Sequence, residues 1–301
     1  LMKCVIFTRK QKKIQIHLLI FLEMEEKMNT VEVRNVSKKL GDNNIFENVS
    51  FNLEKGKIYG LVGANGSGKS TLLKIIMSLY KTKGRVLING FDVRKNFSEA
   101  LSKVSGIVDN VSLYDFLTAK ENLRYFAYLY DVDYSKVKEI LEFLKFDIND
   151  KRIVKHFSLG MKQKLGLGVS LLKDSDVLIL DEPTNGLDPK GIMELRQLLK
   201  SMKDKTIIVS SHMISEIEKL TTDILFINNK SITKIESNTR HREFKLGNYD
   251  LAKDILPESM NMSDEEVSVY VKKLADKNIP IYAVNESSGL EDMLIDLMED
   301  K

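Results

Sequence analysis

The sequence is poor in the features that mark secreted and membrane-spanning proteins. Its only cysteine, Cys4, excludes an internal disulfide and is typical of a protein that works in a reducing cytoplasm. No apolar run reaches the about 20 residues that a membrane-spanning helix needs. The longest candidate, 14–22, contains His17, precedes several glutamates and lacks a small-residue cleavage site, so we expect no signal peptide.

An excess of charge of one sign is also missing. The formal net charge is +3 although 30% of the residues are charged, because 46 Lys and Arg nearly balance 43 Asp and Glu, and the two signs are interspersed. This balance gives no electrostatic reason to expect a nucleic-acid partner. There is no internal repeat and no low-complexity segment. A chain of 301 residues that is 43% hydrophobic can bury a full-sized core, so we expect one main domain with appendages.

The first residues carry no periodic pattern. The chain opens with Leu1 and a basic stretch at 9–13, and ordered alternation begins only at Val31. Two interpretations are open: a basic anchor on an acidic membrane face, or a start site placed too far upstream. The second is favoured. We therefore treat 1–27 as an extension and expect a chain that begins at Met28 to keep its full activity.

From Val31 onward, strand and helix patterns alternate. Short alternating or β-branched runs predict strands at 31–38, 45–53, 58–62, 84–88, 177–180 and 206–210. Helical spacing runs from 118 to 172, and helices are predicted at 70–79 and 191–203; Leu123, Phe126, Leu129 and Tyr130 are assigned to one apolar face. Strand, helix, strand in this order implies a right-handed crossover and an α/β fold.

The residue pattern of the sequence changes at about residue 237. Beyond it, the pattern predicts a small α/β appendage with strands at 244–246 and 281–284 and helices at 264–277 and 290–298. We therefore expect a main domain at 28–237 and an appendage at 238–301 that carries no motif of its own.

A glycine-rich loop follows the strand at 58–62 and precedes a helix. Gly63-Ala-Asn-Gly-Ser-Gly-Lys69-Ser70 matches the phosphate-binding motif G-x-x-x-x-G-K-[ST] in the context that its mechanism requires. The glycines let successive backbone N–H groups converge on phosphate oxygens, and the helix that follows adds its positive dipole end. Lys69 reaches the β- and γ-phosphates, and the Ser70 hydroxyl is a natural Mg²⁺ ligand. The expected nucleotide-binding residues here are Gly63, Ala64, Asn65, Gly66, Ser67, Gly68, Lys69, Ser70 and Thr71.

Two adjacent carboxylates end the apolar strand at 177–180. In an α/β sheet this places Asp181 at the carboxyl edge, where such proteins bind ligands. There Asp181 is suited to hold Mg²⁺, and Glu182 is suited to polarise the water that attacks the γ-phosphate. The alternative is a solvated strand end; the buried run before the pair and Pro183 after it favour the functional interpretation.

Together these motifs resemble the ATP-binding subunit of ABC transporters. Asp181-Glu-Pro-Thr-Asn-Gly-Leu-Asp188-Pro189 is similar to the family's Walker B and D-loop run. His212, which follows the strand at 206–210, resembles the switch histidine that contacts the γ-phosphate. Ser158-Leu159-Gly160-Met161 resembles the family signature LSGGQ at the start of a helix. The resemblance covers about 31–237.

The resemblance implies a fold, a cofactor and partners. The fold is an α/β P-loop NTPase core: a mixed-sheet core, an antiparallel β subdomain and a helical subdomain, with the small α/β appendage at the C-terminus. ATP and Mg²⁺ are the implied cofactors. Ser158 and Gly160 are implied to bind the γ-phosphate of ATP held by a second protomer, so a dimer sandwiches two nucleotides. The implied location is peripheral, on the cytoplasmic face of the membrane, beneath a permease subunit.

Several positions depart from the family pattern. The signature's first glycine is Leu159 and its glutamine is Met161; the aromatic residue that stacks on adenine is replaced by Leu40. Phe46 is a substitute if its side chain is suitably directed, and without one base recognition loses about 1–3 kcal/mol of stacking. The glutamine of the Q-loop is replaced by Asp109, which we expect to approach the metal only through water or on dimer closure.

An apolar cluster follows Asp109 in the same loop: Val111, Leu113, Tyr114 and Phe116. It either folds back onto the helices from 118 onward or forms a socket for a cytoplasmic helix of the membrane partner, and the second interpretation is favoured because exposed apolar patches mark interaction sites.

The departures and the appendage resemble the bacitracin- and lantibiotic-resistance branch of exporters. We therefore expect an ATPase that drives export of a peptide antibiotic or a similar amphipathic compound. The alternative is a soluble ABC-type regulatory ATPase. Such regulators carry two cassettes or a long coiled-coil insertion, and this sequence has neither.

Overall fold

The computed structural model describes residues 29–109, 112–221, 223–236, 241–249, 251–253, 255–257, 262 and 264–287. The extension at 1–27, Val111, the domain boundary near 237 and the predicted helix at 290–298 lie outside the described residues. Within the described ranges, no helix combines the length and apolarity needed to cross a membrane.

Twelve strands and eight α-helices are assigned within the described residues. The strands are β1 (Asn29–Leu40), β2 (Asn43–Glu54), β3 (Ile58–Val62), β4 (Lys83–Ile88), β5 (Phe91–Asp92), β6 (Val104–Ile107), β7 (Val177–Leu180), β8 (Thr206–Ser210), β9 (Asp223–Asn228), β10 (Ser231–Glu236), β11 (His241–Leu246) and β12 (Ile281–Ser287). The helices are α1 (Lys69–Ile76), α2 (Phe97–Ser102), α3 (Ala119–Leu129), α4 (Ser135–Phe143), α5 (Leu159–Leu172), α6 (Pro189–Ser201), α7 (Ile214–Glu218) and α8 (Asp264–Asp276), and a 3₁₀ turn covers Val154–His156.

A six-stranded sheet in the order β10-β9-β3-β8-β7-β6 forms the centre of the main domain. Neighbours from β6 to β9 are parallel, and β10 returns antiparallel to β9. Strands β7 and β8 are buried along their whole length, as expected for strands covered on both faces. The mixed-sheet core predicted from the sequence is confirmed.

A second, antiparallel sheet has the order β2-β1-β4-β5. Its β4–β5 hairpin turns at Asn89 and Gly90, which both have positive φ (47° and 80°), the geometry of a two-residue primed turn. Val31 and Ile88 pair across this sheet and are fully buried in the cluster that also contains α1. The antiparallel subdomain therefore packs against the helix that follows the glycine-rich loop.

A helical layer made of α3, α4 and α5 covers the β6–β7 side of the core. Helix α3 begins with a capping box, in which the Thr118 side chain accepts the N–H of Glu121 and the Glu121 side chain accepts the N–H of Thr118. Helix α5 is capped by Ser158, whose side chain accepts the N–H of Met161.

The chain beyond 240 builds a separate small core. Strands β11 and β12 pair antiparallel, and the apolar face of α8 contributes Leu274 to a cluster that includes Phe244 and Ala252. This agrees with the predicted strand, helix, strand order.

Two details of the sequence interpretation are corrected. The helix predicted from residue 191 begins at Pro189, because Asp188 caps it and proline suits the first helical position. Leu129 was assigned to the buried face of α3, yet it is 54% exposed whereas Leu123 is fully buried. At 3.6 residues per turn, Leu129 lies about 120° around the helix from Leu123, so it falls off the buried stripe.

Candidate functional site

The carboxyl ends of four neighbouring parallel strands, β3, β8, β7 and β6, bring the predicted site residues together. The glycine-rich loop follows β3, His212 follows β8, Asp181 and Glu182 follow β7, and Asp109 follows β6. Asp109, Asp181 and Glu182 line one cleft of about 460 Å³. The sheet topology thus places residues that are far apart in sequence on one edge, where open α/β sheets bind ligands.

The loop between β3 and α1 needs glycine at specific positions. Gly68 has φ +110°, and a Cβ there would lie 2.7 Å from Ile45 Cγ2 and 2.9 Å from Phe46 Cζ. At Gly63 a Cβ would approach the Ile227 carbonyl oxygen to 2.8 Å. The backbone therefore follows a path that side chains would block, which suits the close approach of an anion to the loop.

Lys69 is the first residue of α1 and is 7% exposed. Its Nζ donates to the carbonyl oxygens of Gly63 (2.9 Å) and Ala64 (3.3 Å), and lies 3.9 Å from Glu182 Oε1. The ammonium group is thereby fixed inside the loop. It faces the carboxylate of Glu182, which follows β7, two strands away from β3 in the sheet. A buried cation that is held by carbonyl oxygens is a suitable partner for phosphate oxygens.

Glu182 is held from two sides. Its Oε2 lies 2.7 Å from His212 Nδ1, and its Oε1 faces Lys69. Because a carboxylate only accepts, His212 Nδ1 carries the hydrogen in this bond. Glu182 has φ +49°, a left-handed backbone conformation that is uncommon for a non-glycine residue and that is found at functional sites.

Ser210, the last residue of β8, connects the two carboxylates, and the sequence interpretation assigned it no role. Its fully buried hydroxyl donates to Asp181 Oδ1 (2.6 Å) and accepts the backbone N–H of Glu182 (2.8 Å). This fixes the Asp181 side chain and the strained Glu182 backbone together. The signal in the sequence was its place at the end of a buried strand next to Ser211 and His212.

Asp109 lies at the same edge but is paired with a residue that the sequence did not single out. Its Oδ2 is 2.7 Å from Lys74 Nζ in the last turn of α1, and this hydrogen bond raises the pKa of the Lys74 ammonium. Asp109 also has positive φ (66°).

The signature residues lie at the start of α5, beside the loop that follows Glu182. Ser158 is exposed, and Leu159 is 52% exposed. A Cβ on Gly186 (φ +72°) would lie 2.2 Å from Leu159 Cδ2, so the leucine in place of the family's glycine rests against the D-loop of its own chain. Gln163 Nε2 adds a hydrogen bond to the Asn185 carbonyl oxygen (2.8 Å). Ser158 and Gly160 are therefore not brought to the glycine-rich loop of the same chain by any contact described.

The base-stacking position contains no accessible aromatic ring among its two candidates. Leu40 is 39% exposed, and Phe46 is 1% exposed with its ring edge against Gly68. Because Phe46 is packed beneath the glycine-rich loop, its ring faces are covered. The option that Phe46 substitutes for the missing aromatic residue is therefore not supported by its position.

The donor set at the strand edge fits Mg²⁺. Ser70 at the start of α1 and Asp181 after β7 supply the hydroxyl and carboxylate oxygens that this hard cation prefers. Among the described residues, no cluster of three or more His, Cys, Asp or Glu side chains could hold a metal.

Comparisons with known proteins agree with this geometry. The family model described as ABC transporter matches residues 46–185. The chain is 34% identical over 272 residues to the bacitracin transport ATP-binding protein BcrA of Enterococcus faecalis, which covers 86% of each chain. It is 42% identical over 200 residues to the lantibiotic transport ATP-binding protein SrtF of Streptococcus pyogenes, which covers 65% of this chain and 86% of that protein.

A solved structure described as the ATP-binding subunit of an ABC transporter is 25% identical and superposes with a TM-score of 0.64, covering 81% of this chain and 99% of that one. The glycine-rich loop and the paired carboxylates after β7 both lie within the residues that the family model matches. The chain belongs to the ATP-binding subunits of ABC transporters, which bind and hydrolyse ATP.

Proposed function

We propose that the chain binds MgATP at 63–71, hydrolyses it with Glu182 and His212, and as a dimer drives a membrane permease that exports peptide antibiotics or similar amphipathic compounds. The observation that carries the proposal is the position of the Glu182 carboxylate. It is held between Lys69 (3.9 Å) and His212 (2.7 Å) at the edge of the sheet that carries the glycine-rich loop.

Phosphate binding rests on the loop and on α1. Backbone N–H groups, the N-terminal end of α1 and the Lys69 ammonium all supply positive potential. Ser67 Oγ is buried and has no hydrogen-bond partner among the described residues, so it suits a phosphate oxygen as acceptor. Mg²⁺ would be held by Ser70 and Asp181, and it would supply charge neutralisation at the β- and γ-phosphates.

In the proposed hydrolysis, Glu182 orients and polarises the attacking water. His212 holds that carboxylate by its Nδ1–H and presents its other ring nitrogen away from Glu182, where it meets the γ-phosphate. Lys69 offsets charge on the transferring group. Lys69 and Glu182 are each held by more than one contact on the chain, so these two side chains are positioned before the ligand binds.

A second copy of the chain would complete the nucleotide site. Ser158 and the D-loop residues Asn185 and Gly186 are exposed in the single chain. In a two-fold dimer, the signature of each chain would meet the glycine-rich loop of its partner, so the same contact would form twice. Such a dimer is complete and needs no third chain.

The permease is proposed to bind an aromatic patch made of Tyr114, Phe116, Tyr125 and Phe126. Tyr114 contacts Tyr125 edge-to-face at 4.7 Å between ring centroids, and Phe116 at 5.8 Å. Asn122, fully buried, fixes the Tyr114 backbone by bonding both its N–H and its carbonyl oxygen. Phe116 is nevertheless 71% exposed, whereas Leu113 packs against the core.

The loop cluster is thus divided between the two interpretations: Leu113 folds back, and Phe116 stays open to solvent. A large exposed aromatic residue on a backbone that is held in place suits a docking surface for an apolar cytoplasmic helix. Through this contact the chain would sit peripherally at the cytoplasmic face of the membrane. The cargo class is inferred from the names of two relatives, which specify transport of bacitracin and of a lantibiotic.

Two measurements test the proposal. Equilibrium binding of a fluorescent ATP analogue should be strong for the parent and lost in Lys69→Ala, because the buried phosphate partner is removed. Deletion of the gene together with that of its partner permease, once the partner is identified, should lower the bacitracin or lantibiotic tolerance of the cell, and the parent pair should restore it. Binding that is unaffected by Lys69→Ala would refute the nucleotide site; unchanged tolerance would refute the cargo class.

A further inference from the structure

Lys74 and Asp109 form an ion pair that joins the helix after the phosphate loop to the loop after β6. Lys74 Nζ lies 2.7 Å from Asp109 Oδ2, and the Lys74 side chain is 20% exposed whereas that of Asp109 is 58% exposed. The pair lies at the site edge, because Asp109 lines the same cleft as Asp181 and Glu182.

The position of Lys74 is fixed by its own surroundings. Its carbonyl oxygen accepts the backbone N–H groups of Leu79 (2.8 Å) and Tyr80 (3.2 Å) where α1 ends. Its ammonium group lies 5.5 Å from the centroid of the Tyr80 ring, a favourable cation–π distance. The cation is therefore held close to Asp109 by the end of the helix and by an aromatic face.

At this edge of the sheet, two of the three carboxylates are each paired with a lysine. Glu182 faces Lys69 at 3.9 Å, and Asp109 faces Lys74 at 2.7 Å. Asp181 bonds to the neutral hydroxyl of Ser210 and so remains the carboxylate with no ammonium group within ion-pair distance among these contacts. An unpaired carboxylate at Asp109 would add a second uncompensated negative charge beside a polyanionic ligand.

We propose that Lys74 is a positioning residue that neutralises the charge of Asp109. The Asp109–Lys74 pair then has zero net charge beside the nucleotide, as a glutamine side chain at position 109 would have. The inference rests on the proposed nucleotide site. Lys74 would favour binding of the triphosphate by cancelling the repulsion from the Asp109 carboxylate. It would not contact the reacting atoms.

A purely structural role for Lys74 predicts something different. Lys74 lies in the last turn of α1, where a cation stabilises the helix dipole. In that role its loss would weaken the protein whatever residue occupied position 109. Replacement of Asp109 by the neutral glutamine separates the two roles, because neutralisation is needed only when the carboxylate is present.

The experiment measures affinity for a fluorescent ATP analogue, with Mg²⁺ and with EDTA, in the full chain. The variants are Lys74→Met, Asp109→Gln and the double variant. Lys138→Met is the matched control, since it breaks the exposed Lys138–Glu142 pair (3.8 Å), which is remote from the site.

We expect Lys74→Met to bind ATP in EDTA about tenfold more weakly, the size expected of one uncompensated charge in a partly screened site. The loss should be smaller with Mg²⁺, because a freed carboxylate is attracted to the cation. The double variant should bind ATP within about twofold of Asp109→Gln, which is its reference, and the Lys138→Met control should bind as the parent does. Lys74→Gln should reproduce Lys74→Met if the latter is unstable.

Two outcomes would overturn the inference: an equal loss with and without Mg²⁺, or a loss that persists in the double variant. Either would leave the nucleotide site standing, since the parent would still bind and Lys69→Ala would not. Failure of the parent to bind ATP would instead refute the proposed function.

Discussion

Removal of the Ser210 hydroxyl should damage both folding stability and ATP hydrolysis. Ser210→Ala removes a hydrogen bond to the Asp181 carboxylate and another from the Glu182 backbone N–H. A hydrogen bond to a charged group contributes about 1.5–3 kcal/mol and a neutral one about 0.5–1.5 kcal/mol. The expected loss in free energy of unfolding is therefore about 2–4.5 kcal/mol. The left-handed Glu182 backbone also loses a contact that holds it. The Glu182 carboxylate, which we propose polarises the attacking water, should then move, and hydrolysis should fall at least about tenfold.

The matched control is the neighbouring serine. Ser211 is equally buried, but its hydroxyl accepts only the Met213 N–H among the contacts described (3.0 Å). Ser211→Ala should cost about 1 kcal/mol in urea denaturation and leave the hydrolysis rate within about threefold of the parent. Equal effects of the two substitutions on both quantities would refute the role given to Ser210.

Three further predictions follow from individual contacts. Gly68→Ala should abolish ATP binding, because its Cβ would lie 2.7 Å from Ile45 Cγ2 and 2.9 Å from Phe46 Cζ in the phosphate loop. Gly41→Ala is the control, since Gly41 also has positive φ (+58°) but a Cβ there would meet nothing within 4 Å, and it should bind ATP normally; equal binding by both would contradict this. Tyr114→Ala should leave hydrolysis by the isolated chain intact but abolish co-purification with the permease and drug tolerance; retained co-purification would show that the aromatic patch is not the docking surface. Burial raises the pKa of Tyr59 to about 12. The neutral Tyr59 side chain therefore contributes about 2–3 kcal/mol to the free energy of unfolding below about pH 10, and this contribution is lost as the pH rises towards 12. Tyr59→Phe should flatten that alkaline decline, and an unchanged slope in urea denaturation would contradict the assignment.

The elements that carry the site could be predicted because local pattern and motif coincide there. The β-branched runs of β3, β7 and β8 are buried strands in the structure, and the motif residues follow their carboxyl ends as the sequence indicated. The Asn-Gly pair at 89–90 adopts the primed turn that this dipeptide favours. These features depend on a few adjacent residues.

Features that depend on tertiary neighbours were missed. Strand β6, Val104–Ile107, is four residues long and includes a serine and a glycine, so periodicity gave no signal. Strands β9 and β10 were also not predicted, although β9 pairs directly with β3. The role of Ser210 and the Lys74–Asp109 pair arise only when β8, β7, β6 and α1 meet, because the partners are 29 and 35 residues apart in sequence.

The central claim is that the Glu182 carboxylate, fixed between Lys69 and His212, drives hydrolysis without being needed for binding. Single-turnover hydrolysis of labelled ATP by Glu182→Gln, measured beside equilibrium binding and size-exclusion chromatography with ATP and Mg²⁺, tests it directly. The glutamine keeps the shape and removes the charge. We expect hydrolysis to fall by about 10²–10³-fold, with affinity unchanged and an ATP-bound dimer that persists. Hydrolysis at the parent rate, with the same affinity, would contradict the claim.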